Sequence, residues 1–236
     1  MKGARLSAPA LAYIAGASVL AIAVAAFQWR SKPADDLVLF SVMTGLGMLA
    51  HAYPVRGFRH QAYQVTLPFI VIAAATLSIP QLVAFIILIH LAEQARVRRR
   101  LYIQWFNVCD YFLSAAAAAA VYQRATWLLP DAGLGHVAAA LSAGCAFVLL
   151  NRVLLAGALW LARGLSPLAS GLFQSELLAA DLIIAWVAVP MLVLTLQAGP
   201  WMILVTAGPL LLARPALSAL LARRHAPERP VVARAA

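Results

Sequence analysis

The stretch LLAADLIIAWVAVPMLVLTL, residues 177–196, contains one charged side chain, Asp181. A second stretch, LAYIAGASVLAIAVAAF at 11–27, contains none. A helix needs about 20 apolar residues to cross the hydrocarbon core of a bilayer. Neither stretch alternates apolar and polar residues, as the strands of a membrane β-barrel do. Both therefore predict transmembrane helices, in which every backbone polar group is satisfied within the segment.

The composition of the whole chain agrees with these two stretches. The protein has 236 residues, of which 64% are hydrophobic and 11% charged, and its mean hydropathy is +0.88. Soluble domains have roughly 45–50% apolar and about 25% charged residues. Because a small fold in water keeps much of its surface exposed, this much apolar surface requires lipid as its surroundings. We therefore predict an all-α, polytopic transmembrane helix bundle.

Reading the apolar runs along the chain gives about eight predicted spans. The third and fourth are short and separated only by Ile79, so we predict a tilted or re-entrant helical hairpin there. The spans form a single transmembrane domain at 1–221, and 222–236 is predicted to be a short, basic, disordered cytoplasmic tail. The predicted spans are Pro9–Gln28, Asp36–Tyr53, Gln61–Ser78, Pro80–Gln94, Gln104–Tyr122, His136–Leu161, Glu176–Gln197 and Pro200–Leu221.

The first predicted span has features of a signal peptide. Lys2 and Arg5 precede its apolar run, and Ala23-Val24-Ala25 resembles a cleavage site. The apolar run is longer than the core of a typical signal peptide, and we therefore predict a retained span.

The basic residues are distributed unevenly over the predicted loops, and the positive-inside rule then orients the bundle. With the N-terminus inside, the outer loops carry only Arg30, Lys32 and Arg124. This predicts a multi-pass protein of the bacterial cytoplasmic (inner) membrane with both termini in the cytoplasm. The basic residues behind the net charge of +10 then form a cytoplasmic rim that faces anionic lipid. The predicted partner is therefore the lipid bilayer and not nucleic acid. The inner basic residues are Lys2, Arg5, Arg56, Arg59, Arg96, Arg98, Arg99, Arg100, Arg163, Arg223, Arg224, Arg229 and Arg234.

A few ionisable side chains lie within the predicted spans, where charge is costly and usually functional. Asp110, Arg152, Asp181 and Arg214 lie at similar distances from the cytoplasmic ends of their spans, within about 6 Å at 1.5 Å per residue. Opposite charges at one depth can pair. We predict Asp181 with Arg214 and Asp110 with Arg152, and the exchanged pairing stays open. The other polar candidates are His51, His90, Glu93, Asn107 and Asn151.

These polar residues have three interpretations. The charge pairs fix helix register, or the set binds a ligand or gates a signal, or the arginines extend to the interface without a specific partner. His90 and Glu93 do not form the HExxH zinc motif, and we interpret Glu93 as an interfacial acid beside the basic loop. That loop consists of Arg96, Arg98, Arg99 and Arg100.

The sequence carries no enzymatic signature. It contains neither a GxSxG nor a GxxxxGK[ST] motif. Cys109 and Cys145 lie in apolar runs without a second ligand at metal spacing, so we interpret both as small hydrophobic side chains. We predict no enzymatic activity, no catalytic residue, no metal site and no cofactor.

Small residues predict where helices approach one another closely in lipid. Ala115–Ala120 makes the fifth predicted span slim along six consecutive positions. Ser41 and Gly45, four residues apart, predict a second close approach on the second span.

The order of short motifs in the chain resembles a known kind of membrane domain. The motifs are RRR at 98–100, QWFN at 104–107, VLLN at 148–151, GPW at 199–201 and PLLLAR at 209–214. From Leu37 to Leu221 the chain resembles the multi-helix domain that precedes HD-GYP phosphodiesterase and GGDEF diguanylate cyclase domains in bacteria. Asn107, Asn151 and Arg214 match recurring positions of that domain.

The resemblance implies an input domain that passes a signal through its last helix to a cytoplasmic partner. The residues after Leu221 contain no HD pair, GYP or GGDEF sequence, so we expect a sensor-like fold without cyclic-dinucleotide chemistry. The leading hypothesis is a non-catalytic sensor-like or scaffold protein that acts through a cytoplasmic or membrane protein partner. The alternative is a small-solute binding or transport protein, with a polar site in the cytoplasmic half of the bundle.

Overall fold

The computed structural model describes residues 6–29, 36–53, 55–56, 62–63, 65–131, 133–209 and 211. These residues form an all-helical bundle, and a two-residue antiparallel ladder joins β1 (Val55–Arg56) to β2 (Ala62–Tyr63). The predicted all-helical class is confirmed. The predicted tail at 222–236 lies outside the described residues. The helices are α1 (Ala8–Gln28), α2 (Leu37–Ala52), α3 (Leu67–Thr76), α4 (Ile79–Val97), α5 (Leu101–Leu128), α6 (Leu134–Arg163), α7 (Ser175–Trp186) and α8 (Ala188–Ala198), with a further helical segment at 202–209.

Four helical stretches within the described residues are long and apolar enough to cross a membrane. They are Ala8–Gln28, Ile79–Val97, Leu134–Arg163 and Ser175–Ala198. The coarse prediction of a multi-pass membrane protein is thereby confirmed, whereas a count of eight spans and the position of both termini stay predictions. α5 is 28 residues long but carries several polar side chains, and α2 and α3 are shorter apolar helices.

Of the two spans that were predicted to be short, only the first is short in the structure. α3 has 10 residues, or about 15 Å, which is half the thickness of a hydrocarbon core. It is buried from Leu67 to Ala74, and Pro68 lies in its first turn, where no backbone N–H is needed. α4 is longer than predicted, with 19 residues. α4 begins directly after α3, because the backbone N–H of Ser78 donates to Oε1 of Gln81 and so caps the start of the new helix.

The predicted seventh span is interrupted at Val187, between α7 and α8. Pro190 lies three residues further on. A proline has no N–H to donate to the carbonyl four residues earlier, and its ring clashes with that carbonyl. The carbonyl of Trp186 therefore loses its helical donor, and the backbone turns at that point.

Alanine-rich surfaces bring α5 and α6 together along most of their length. Ala115, Ala116, Ala118 and Ala119 of α5 are buried in the core, and so are small residues of α6 such as Ala139 and Ala143. The close approach predicted from the alanine run is therefore confirmed. The short side chains allow backbone contact, which drives helix association where lipid is as apolar as the core.

The second predicted close approach lies on the other face of α2. Ser41 and Gly45 are exposed, and a Cβ placed on Gly45 would meet no atom within 4 Å. A Cβ on the buried Gly47 would instead lie 2.7 Å from Cε2 of Phe85 and 3.2 Å from Cγ2 of Ile89. Gly47 is thus the residue that lets α2 approach α4.

α1 packs as part of the bundle, against α5 and α6. The Tyr13 hydroxyl donates to the carbonyl of Leu154 at 3.0 Å, and the Ser7 hydroxyl donates to the carbonyl of Leu161 at 2.9 Å. Nε1 of Trp105 donates to the hydroxyl of Ser18 at 2.8 Å. These bonds join α1 to both α5 and α6, and its retention as a span stays a prediction.

Candidate functional site: a buried histidine–glutamate centre

His51, His90 and Glu93 meet at one end of the bundle, and we call these three residues the His–Glu centre. His51 lies in the last turn of α2, and His90 and Glu93 are three residues apart near the end of α4, which places them on one face. Nε2 of His51 lies 3.2 Å from Nδ1 of His90. Oε2 of Glu93 lies 3.6 Å from the first nitrogen and 3.7 Å from the second. The three residues are 5%, 1% and 6% exposed, so three potential metal-binding atoms converge away from solvent.

The local fold explains why residues so far apart in sequence meet. α3 leaves the end of the bundle at which α2 finishes, and α4 returns to that end. α2 and α4 therefore run in parallel, and Gly47 allows them to touch one turn before His51. The pairing of His51 with His90 follows from this geometry.

Three further side chains surround the centre. Oγ1 of Thr66, just before α3, lies 3.2 Å from Nδ1 of His51. Nε2 of Gln104, on α5, donates to the carbonyl of His90 at 2.7 Å and lies 3.4 Å from Oε2 of Glu93. The buried ring of Tyr111 meets both imidazoles edge to face, at 5.6 Å from His51 and 4.7 Å from His90. Residues of α2, α4 and α5, together with Thr66 just before α3, thus fix the two imidazole rings.

The hydrogen bonding of the centre is incomplete within the described part of the chain. Nε2 of His90 and Oε1 of Gln104 are buried and have no hydrogen-bond partner there. Nδ1 of His90 has one lone pair or one proton, yet both Nε2 of His51 and Nε2 of Gln104 lie within 3.3 Å of it. Buried polar groups are rarely left without partners. The arrangement is one that an additional small ligand can complete.

Glu93 also connects the centre to the basic loop. Its second oxygen, Oε1, accepts a hydrogen bond from the Arg99 guanidinium at 2.9 Å. The Arg99 side chain is 42% exposed, whereas that of Glu93 is 8% exposed. The interpretation of Glu93 as an interfacial acid beside arginines is therefore incomplete, because one carboxylate oxygen faces Arg99 and the other faces the buried histidines.

The basic loop is held tightly against the end of the bundle. The side-chain amide of Gln94 donates to the carbonyl of Arg99 at 2.7 Å, and Arg96 donates to the carbonyl of Ala52 at 2.7 Å. Arg98 adopts a left-handed conformation with φ of 52°. Such a conformation is uncommon for residues other than glycine and often occurs at functional sites. The loop is ordered by contacts to both α2 and α4.

A second buried charged site joins α6 to α7. Arg152 forms an ion pair with Asp181, donates to the carbonyl of Leu172, and lies 3.3 Å from the carbonyl of Leu177. The predicted pair of Arg152 with Asp110 is wrong, and the structure instead forms the Arg152–Asp181 half of the exchanged pairing. Arg214, the other predicted partner, lies outside the described residues.

Asp110 of α5 is buried at the contact between α5 and α6, away from the Arg152–Asp181 pair. It accepts from the side-chain amide of Asn151 at 3.1 Å and from the Ser114 hydroxyl at 3.4 Å. Asn151 and Arg152 are adjacent in sequence, so they point about 100° apart around the helix at 3.6 residues per turn. Asn151 therefore reaches α5 and Arg152 reaches α7, which is why similar depth did not decide the pairing.

Asn107, the last predicted site residue, belongs to neither cluster. It lines a groove of about 330 Å³ between α1, α5 and α6. Most of the lining is apolar, including Ile14 and Phe106, while Arg100 and Arg163 lie at one end. The six predicted candidates therefore do not form one site within the described residues.

His51, His90 and Glu93 are all polar residues of the predicted spans, but no sequence motif links His51 to the other two. A usable signal was present, because the spans that contain them end on the same predicted side of the membrane. Thr66 and Gln104 carried no such signal, since a threonine and a glutamine at a span end are unremarkable.

No protein-family model, curated protein or solved structure matches this chain significantly. The resemblance to the domains that precede HD-GYP and GGDEF output domains therefore stays a prediction.

Proposed function

We propose that this chain is a non-catalytic, sensor-type protein of the bacterial cytoplasmic membrane that acts through a partner protein. Both termini lie in the cytoplasm in this proposal, on the evidence of the positive-inside asymmetry. One observation carries the functional part: Glu93 contacts the buried histidines with one oxygen and Arg99 of the basic loop with the other.

A sensor needs an input site, an output surface and a coupling between them. The His–Glu centre is the input, because it is buried and has unsatisfied polar atoms. The exposed basic loop is the output, because its four arginines can be read by an acidic partner surface. The Glu93 carboxylate is the coupling, because any change in its charge or position acts directly on Arg99.

The test is to place a photo-crosslinking residue at Val97, an exposed position at the end of α4, in intact bacterial membranes. We expect discrete protein adducts whose yields change in Glu93→Gln. Glu176→Gln provides the matched control, because it makes the same chemical change at an exposed acid of α7. The proposal is contradicted if Val97 gives no adduct, or if the adduct yields are the same in Glu93→Gln as in the wild-type protein.

Binding of a small anionic amphiphile is a second candidate function, supported by the groove between α1, α5 and α6. Its walls suit an acyl chain, and Arg100 and Arg163 at one end suit an anionic group. Mass spectrometry of the purified protein tests this idea. We expect Arg163→Ala to lose a co-purified anion that Arg124→Ala retains, since Arg124 packs on Trp127 elsewhere.

A further inference from the structure

We infer that the His–Glu centre binds a divalent transition-metal cation of the zinc class through Nε2 of His51, Nδ1 of His90 and Oε2 of Glu93. This inference names the ligand of the input site and in that respect rests on the proposed function. Two imidazoles and one carboxylate favour a borderline-soft cation such as Zn²⁺ over the hard cations Ca²⁺ and Mg²⁺.

The spacing of the three atoms carries the inference. Their separations are 3.2, 3.6 and 3.7 Å. A point in their plane that is equidistant from all three lies about 2.0 Å from each, which matches Zn–N and Zn–O bonds of about 2.0–2.2 Å. Tetrahedral coordination moves the ion slightly out of this plane and needs only small side-chain shifts, within the usual tolerance of about 0.2 Å. Two histidines and one glutamate with an open fourth position form a known set of zinc ligands.

The surroundings of His51 fit a bound cation, whereas Nε2 of His90 has no oxygen acceptor within the described residues. Metal-bound histidines normally donate their other ring N–H to an oxygen, which fixes the ring. Oγ1 of Thr66 is placed to accept from Nδ1 of His51 at 3.2 Å. Gln104 supplies a buried oxygen, Oε1, without a partner in the described residues, and this oxygen can bind a water in the fourth coordination position.

One neighbouring charge opposes binding. Arg99 already shares the Glu93 carboxylate at 2.9 Å, and two positive charges on one carboxylate weaken each other. Binding of the cation therefore loosens Arg99, and by reciprocal linkage loss of Arg99 tightens the cation. The half-exposed Arg99 side chain can move away into solvent, so the opposition reduces affinity without preventing binding.

The experiment is a Zn²⁺ and Co²⁺ titration of the purified full chain in detergent micelles, followed by calorimetry and by the ligand-field absorption of Co²⁺. We expect one saturable site per chain, a Co²⁺ spectrum typical of four-coordinate geometry, and a higher Tm with Zn²⁺, since a ligand of the folded state stabilises it. Wild-type protein that shows no saturable binding and no rise in Tm overturns the inference.

Variants locate the site. We expect His51→Ala and His90→Ala to weaken Zn²⁺ binding by more than about 100-fold, beyond the roughly 10–100-fold loss typical of residues that only orient a ligand. His136→Ala is the matched control, because His136 contacts Tyr122 at 2.6 Å, outside the centre. If a histidine variant does not fold, Glu93→Gln replaces it. Binding that survives in folded His51→Ala and His90→Ala protein places the cation elsewhere and rejects the inference.

The titration and the crosslinking separate the two proposals. Zn²⁺ binding without adducts at Val97 rejects the sensor function and leaves the cation site intact. Adducts that respond to Glu93→Gln in a protein that binds no cation reject the cation site and leave the sensor function intact.

Discussion

The His–Glu centre and the Arg152–Asp181 pair are both buried polar clusters between helices, yet their hydrogen bonding differs. Arg152 donates to one carboxylate and two main-chain carbonyls, which its planar guanidinium is shaped to do, although its buried Nε has no partner in the described residues. In the His–Glu centre, two ring nitrogens and a carboxylate oxygen lie within 4.8 Å of one another, and a ring nitrogen and an amide oxygen have no partner in the described residues. The Asp181 carboxylate has its cation in Arg152, whereas the two ring nitrogens and the Glu93 oxygen are spaced to share a metal cation. Variants of the two clusters should therefore lose different properties.

The largest effect is expected at Arg152. Arg152→Met leaves the Asp181 carboxylate without its cation and removes the donor to the carbonyl of Leu172, and breaking a buried pair typically costs about 3–5 kcal/mol. Because the Asp181 side chain is 23% exposed, we expect the lower end, about 3 kcal/mol in the free energy of unfolding. Reversible unfolding in mixed detergent micelles, followed by circular dichroism, measures the loss.

A double variant sharpens this prediction. Replacing both charges by apolar side chains of similar size removes the unpaired charge, and such replacements are often neutral. We expect Arg152→Met with Asp181→Leu to regain most of the stability lost in Arg152→Met, with Zn²⁺ affinity unchanged in both. A double variant no more stable than the single one would show that the pair does more than close the contact.

The next effect is expected at Gly47, which positions the two histidines. Gly47→Ala pushes a methyl group into the buried ring of Phe85, and overpacking of this kind costs about 1–3 kcal/mol. We expect lower thermal stability and weaker Zn²⁺ binding together, since α2 moves away from α4. Gly45→Ala on the same helix meets no atom within 4 Å and should leave both properties at their wild-type values or slightly above. Equal behaviour of the two alanine variants contradicts the assignment of Gly47.

A smaller and more selective effect is expected at Thr66. Thr66→Val keeps the shape of the side chain and removes the oxygen beside Nδ1 of His51, and loss of such an orienting group lowers metal affinity by roughly 10–100-fold. We expect about tenfold weaker Zn²⁺ binding by calorimetry. Thr76→Val is the control at the other end of α3, where the hydroxyl donates to the carbonyl of Ile72, and it should bind Zn²⁺ normally.

The smallest effect is expected at Arg99 and has the opposite sign for binding. Arg99→Gln removes the guanidinium that contacts the buried Glu93 carboxylate at 2.9 Å, and it frees that carboxylate for a cation. We expect Zn²⁺ affinity to rise by a few-fold in the same titration. Arg100→Gln changes the neighbouring arginine, which contacts Tyr102, and should leave the affinity alone. Unchanged affinity in Arg99→Gln argues against the coupling through Glu93.

Much of the fold was predictable because its signals are local. Long apolar runs and the alanine run on α5 each act through a few consecutive residues, and their predictions agree with the described helices. The break at Val187 could be suspected from Pro190, since the lost hydrogen bond is a property of that residue alone. The close approach at Gly47 was mistaken for one at Ser41 and Gly45, because the spacing of small residues does not reveal which face of a helix meets a neighbour.

The sequence by itself determined a helical membrane protein with a few costly polar side chains near the ends of its spans. Hydrophobicity and charge are properties of residues, and they decide the solvent of a chain before it folds. Only the tertiary structure decided which polar side chains meet, because that depends on how each helix is rotated about its axis. Arg152 and Asn151, neighbours in sequence, reach different helices, while His51 and His90, 39 residues apart, share one site.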